Sequence, residues 1–99
     1  LYKEKIMNTQ DFEAQLKADN FGEIATVDKP IGYAMGEHQH PFEACALITK
    51  GDITLVVGGV STTYGVGDVF RLPAQTPHHE NAASNGVTYV VGRKYQAAA

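Results

Sequence analysis

Residues 38–51 read His38-Gln39-His40-Pro41-Phe42-Glu43-Ala44-Cys45-Ala46-Leu47-Ile48-Thr49-Lys50-Gly51, and the reading of this run decides the fold. A His-x-His pair, a proline, a stretch of small and aliphatic residues and a Lys-Gly turn signal suit strands better than a helix. On a strand, successive side chains point to opposite faces. His38 and His40 therefore share a face, their backbones about 6.5–7 Å apart, and Gln39 takes the other. Two imidazoles on one face can converge on a single ion a little over about 2 Å from each nitrogen. The pair alone is a weak signal, because many strand histidines only pack or face solvent.

Outward from this run the pattern is one of short strands between turn residues. The expected strands are Glu23–Asp28, Tyr33–His40, Ala44–Thr49, Ile53–Val57, Ser61–Tyr64, Val69–Leu72, His78–Asn81 and Val87–Arg93. The breaks are Lys29-Pro30, Lys50-Gly51-Asp52, Gly58-Gly59, Gly65 to Asp68, Pro73 to Pro77 and Ser84-Asn85-Gly86, each supplying residues that tolerate positive φ or fix a turn. Many short, evenly spaced strands imply a small barrel or sandwich. One segment reads as a helix. Thr9 to Ala18 carries Phe12 and Leu16 four apart, with Asn8 or Thr9 as cap and Asp11 and Glu13 in the first turn. Too short to be stable alone, it is expected to pack across the barrel or a partner subunit.

Composition bounds the function. Ninety-nine residues with 43% hydrophobic and 19% charged residues suit one domain, expected over 1–99, with a small core that a dimer interface would supplement. A net charge of −3 without a basic cluster argues against nucleic acid. No apolar run approaches the roughly 20 residues of a membrane span, and the start lacks the apolar stretch of a signal peptide. A single cysteine, Cys45, leaves no internal disulfide framework, so a cytoplasmic location is expected. Residues 1–6 and 97–99 read as non-native ends: Met7 opens a run suited to a natural start, and Ala97-Ala98-Ala99 reads as a cloning linker.

Two spacings raise the histidines above background. Gly32, five residues, His38, one residue, His40, with Gly51 closing the next turn, resembles the first motif of the cupin superfamily. Gly67, five residues, Pro73, four residues, His78 resembles the second. Together with Gly67-Asp68-Val69-Phe70 and the late His78-x-Glu80 and Val-Gly-Arg runs, the chain resembles small stand-alone bacterial cupins. The resemblance implies an all-β jelly-roll barrel, with the short N-terminal helix, in which the second motif's histidine completes a metal site: here His38, His40 and His78. It implies dimerisation, and a small-molecule ligand in the barrel. Family activities run from dioxygenases, isomerases, decarboxylases and lyases to proteins that only bind.

The departures from the motif concern the carboxylate. The family's acidic ligand falls four residues after the second histidine, where this chain has Ala44; Glu43 stands one residue early. Two registers are open. Unbulged, Phe42, Ala44, Ala46 and Ile48 face inward and Glu43 faces out, available to Arg71. A bulge near Pro41 would instead turn Glu43, Cys45 and Leu47 inward and make Glu43 an additional ligand. Alternation favours the unbulged register. Gln75 stands where the family has glycine, Asn81 is one residue short of the usual asparagine, and Gln75 is left able to reach the barrel mouth.

The remaining candidates have bland readings beside the functional ones. His79 should point away from His78. Glu80 shares a face with His78, where it would orient that histidine, act on substrate or simply end a strand. Cys45 suits a small buried hydrophobe. Tyr33, Tyr64, Phe70 and Tyr89 suit a barrel lining, and Glu80, Glu43 and Tyr33 are weak acid–base candidates; no catalytic residue is assigned. Three imidazoles suit one divalent transition metal, Zn, Fe, Ni, Mn or Cu, without ranking them. The expectation is a metal-dependent dioxygenase, isomerase or lyase on a small oxygenated molecule; the competing class is a non-catalytic binding or sensing module.

Overall fold

A computed structural model describes residues 8–95; the expectations about residues 1–6, Met7 and 97–99 lie outside that range. Helix α1 (Thr9–Ala18) begins where the sequence puts it, with the Asn8 side chain accepting the Asp11 backbone N–H at 2.8 Å. Seven strands follow: β1 (Glu23–Lys29), β2 (Ala34–His38), β3 (Phe42–Val57), β4 (Val60–Gly65), β5 (Val69–Leu72), β6 (His78–Asn81) and β7 (Val87–Tyr95). All pair antiparallel, in two sheets that face each other as a jelly roll. One holds β1, β7, the first half of β3 and β5; the other holds β2, β6, the second half of β3 and β4.

The expected turn at Lys50-Gly51-Asp52 is not a turn. Strand β3 runs through it and changes sheets there, leaving β7 after Gly51 and taking up β4 from Asp52. The register against β7 shifts between Ile48 and Lys50, and Gly51 sits at φ +68°. The shift has a purpose visible in burial. Before it, Ala44, Ala46 and Ile48 face the barrel interior; after it, Ile53 and Leu55 do. One extra residue flips the parity, so both halves of the strand present apolar side chains to one core. Only glycine fits, because a Cβ on Gly51 would lie 2.1 Å from the Gly86 carbonyl oxygen.

Two apolar clusters result. Inside the barrel, Ala44, Ala46, Ile48, Ile53, Leu55, Phe70, Leu72, Tyr89 and Val91 pack together. On the outer face of the first sheet, Cys45, Leu47 and Val90 are covered by Phe12, Leu16 and Phe21. Helix α1 thus packs across the barrel's own sheet. It lies close because Gly92 offers no side chain: a Cβ there would meet the Leu16 methyls at 2.8 and 2.9 Å. Burying Phe12 and Leu16 contributes on the order of 1.5–3 kcal/mol each, which a helix of 10 residues needs. Cys45, as expected, is a small buried hydrophobe, and burial pushes its thiol pKa up.

Candidate metal centre

Strand β6 supplies the fixed half of the site. His78 and Glu80 are two apart and both point into the barrel, while His79 points out, its Nε2 3.6 Å from Glu37 Oε1. His78 is the one buried polar side chain among the described residues, at 2% exposure. Strand β2 supplies the other half through a bulge. Met35 pairs with Glu80 and His38 with His78, so Gly36 and Glu37 oppose the single residue His79. The extra residue changes parity, and Met35 and His38, three apart, both line the interior. The sequence reading weighed a bulge near Pro41; the chain places one at Gly36-Glu37 instead.

His40 lies just past the end of β2, in the link to β3. Its ring stacks on Phe42, centroids 4.8 Å apart at 13°, and stands 4.9 and 5.3 Å from the His38 and His78 rings. The loops that carry His40 and His78 are tied together. The Gln75 N–H donates to the His40 carbonyl at 2.7 Å, and Gln39 Nε2 donates to Gln75 Oε1 at 2.7 Å. Gln75 holds the left-handed turn at φ +62° that the family gives to glycine. Its side chain clamps the loops; the expected reach to the barrel mouth gives way to this bond with Gln39.

Glu43 is not brought to the histidines. The register runs unbroken across Phe42 to Ile48, so Glu43 faces outward with Cys45 and Leu47, and Arg71 Nε donates to its Oε2 at 3.0 Å. Parity excludes it from the interior. The carboxylate at the centre is Glu80. The donor atoms of His38, His40, His78 and Glu80 lie within 4.8 Å of one another, a group that could hold a metal ion. The sequence signal for Glu80 was its shared face with His78; what spacing could not show is that β6 delivers it between two imidazoles.

Hydrogen bonds fix the protons. His38 Nδ1 donates to the Gly36 carbonyl at 2.8 Å and His78 Nδ1 to the Thr76 carbonyl at 2.9 Å. A carbonyl only accepts, so Nδ1 carries a proton in both rings, and Nε2 is the atom left to bind a cation through its lone pair or to hold a second proton. Both Nε2 atoms face the same oxygen, Glu80 Oε2, at 3.1 and 3.0 Å. Its other oxygen accepts from the Tyr33 hydroxyl at 2.8 Å. Burial alone would raise the Glu80 pKa, but the Tyr33 and His78 contacts and the His38 charge outweigh it, holding the carboxyl below its ordinary value. Lone pairs from two imidazoles and a carboxylate thus meet at one point, and a proton or a cation must sit among them. Carbonyl-tethered Nδ1 atoms behind converging Nε2 atoms are the usual support of a histidine metal site. Burial first, then the charges of His38 and His78, lower the His40 pKa.

The group opens on a cavity of about 220 Å³ walled by Val27, Phe42, Phe70, Leu72, Tyr89 and Val91. Burial first, and then the Glu80 charge, push the Tyr89 hydroxyl up to about 12; burial, then the hydrogen bond to Glu80 and its charge, raise Tyr33 far above its usual range. Both tyrosines are neutral donors at physiological pH.

Comparison with known proteins completes the description. A family model described as the Cupin domain matches residues 26–91. The chain belongs to the cupin family. No curated protein matches this cupin. Among solved structures it is similar to the DMSP lyase DddQ of Ruegeria pomeroyi DSS-3, with TM-score 0.67 and 23% identity over 77% of this chain and 39% of DddQ. Protein NMB1881 of Neisseria meningitidis gives TM-score 0.61 and 22% identity, covering 72% of this chain and 71% of that one. A cupin-like protein of Thermotoga maritima gives 0.63 and 20%, covering 74% and 56%. This cupin therefore spans well under half the length of DddQ, and likeness at these identities is likeness of fold. No helix among the described residues is long and apolar enough to cross a membrane.

Proposed function

We propose that this cupin holds one divalent transition metal on His38, His40, His78 and Glu80 and is a metal-dependent enzyme acting on a small oxygenated molecule. The observation that carries the reading is the pair of tethered imidazoles aiming Nε2 atoms at one carboxylate oxygen. Three nitrogens and one oxygen suit Zn, Fe, Ni, Mn or Cu. Such an ion would supply a Lewis acid that polarises a substrate oxygen and, in a redox-active metal, an electron. The chain's own residues do the rest. Tyr33 holds Glu80 in place, and the apolar walls, Tyr89 among the residues that line them, limit water around the group. Dioxygenase, isomerase and lyase chemistry all begin from that arrangement, and the similar folds include lyases acting on DMSP. The reading also takes the protein as a cytoplasmic homodimer. For association, the support is the small core of a 99-residue chain, which an interface would supplement.

Elemental analysis of protein purified without a nickel column tests the metal. About one equivalent of a transition metal is expected in the wild type and none in His78→Ala. A protein that carries none, and takes up none of zinc, iron, manganese, cobalt or nickel on titration, overturns the proposal. Tight metal and ligand binding without turnover would instead assign a binding or sensing module.

A further inference from the structure

Tyr89 stands out among the polar groups of the cavity. The residue is 9% exposed and lines the cavity, and its hydroxyl has no hydrogen-bond partner among the described residues, while the Tyr33 hydroxyl is bonded to Glu80. No buried side-chain polar atom among the described residues lacks a partner, so this hydroxyl is reached by solvent through the cavity and is free to bond an occupant. Four residues along the same strand, Arg93 also lines the cavity. Its Nη1 donates to Glu23 at 2.6 Å and its guanidinium lies over Phe42 at 5.4 Å. That accounts for part of a five-donor fork and leaves the remaining N–H groups available.

The charge balance points the same way. Lys29 and Arg93 line the cavity, and Glu80 is its one carboxylate among the described lining residues. Glu23 offsets Arg93 and Glu80 offsets Lys29, so the excess comes from the ion: with a divalent cation held there, the site carries a net positive charge that an anion would neutralise. The volume, about 220 Å³, is below the roughly 300 Å³ at which drug-sized pockets begin, so the occupant has few heavy atoms. We propose that the cavity takes a small 2-hydroxy or 2-oxo carboxylate, with its anionic end on Arg93 and the Tyr89 hydroxyl and its chelating oxygens toward the His38, His40, His78 and Glu80 group. The proposal rests on the metal reading above and adds to it the substrate class and the two residues that select it.

The test uses cobalt(II)-loaded protein, whose d–d spectrum reports metal and ligand separately. Lactate is titrated against lactamide, which keeps the shape and the hydroxyl and loses the charge. Lactate is expected to perturb the spectrum and bind at least about tenfold more tightly than lactamide. Tyr89→Phe removes only a hydroxyl that no described residue contacts, and should weaken lactate about three- to tenfold. Arg93→Gln should cut the preference for lactate over lactamide about three- to tenfold, leaving the part that the metal itself contributes, with cobalt still bound in both variants. Equal binding of lactate and lactamide by the cobalt-loaded wild type, or lactate affinity unchanged in both variants, overturns this proposal alone. Failure of the wild type to bind cobalt overturns the metal reading on which it rests.

Discussion

Replacing Glu80 by glutamine separates a metal ligand from a structural carboxylate. Glu80 is 11% exposed at its side chain, touches two imidazole Nε2 atoms through one oxygen and accepts the Tyr33 hydroxyl through the other. Removing one member of so desolvated a charge pair costs about 3–5 kcal/mol. If that charge faces a cation, metal affinity should fall by roughly two to three and a half orders of magnitude. The metal-free protein should behave oppositely. A glutamine amide can donate its two N–H groups to the two Nε2 lone pairs, while its carbonyl still accepts from Tyr33. Glu80→Gln is therefore expected to leave the metal-free melting temperature unchanged or raise it, and to abolish the rise that metal gives the wild type. Glu43→Gln is the control. Its pair with Arg71 is exposed, with side chains 30% and 53% accessible, and is worth about 0–1 kcal/mol with no effect on metal. Competition with a chromophoric chelator gives the affinities, and calorimetry gives the melting temperatures. The reasoning fails if Glu80→Gln keeps metal affinity within about threefold of wild type, or if Glu43→Gln loses as much.

Two further outcomes follow from the same geometry. Metal affinity should be level above about pH 7 and fall below about pH 6.5, because each imidazole must be unprotonated to ligate. The lowered pKa values of His40 and Glu80 act in one direction: their contribution to stability is present at neutral pH and is lost as pH falls through each folded-state value. Full metal occupancy at pH 5, measured after dialysis, would contradict this. Gly51→Ala places a side chain at φ +68° with its Cβ against the Gly86 carbonyl, and should cost about 2–4 kcal/mol. A thermal midpoint lowered by less than about 2 °C would show that the sheet-switching bend tolerates a side chain.

Local pattern determined much of this protein. Phe12 and Leu16 four apart, capped by Asn8, marked the helix, and the glycine and proline breaks marked most strand ends. The spacings around His38, His40 and His78 marked the family, which the match over residues 26–91 bears out. Those features are legible because alternation, capping and turn chemistry act over a few residues. Alternation was also where sequence reasoning met its limit. One inserted residue at Gly36-Glu37 and another shift near Lys50 invert the parity of everything beyond them, and only pairing with β6, β7 and β4 reveals where they fall. The carboxylate shows the consequence. The sequence presented Glu43 beside the histidines and Glu80 as an ambiguous strand-end acid. The unbroken register after Pro41 sends Glu43 out to Arg71, and the fold of β6 against β2 sets Glu80 between His38 and His78. Convergence of side chains from two strands is a property of their pairing, and short-range pattern carries no record of it.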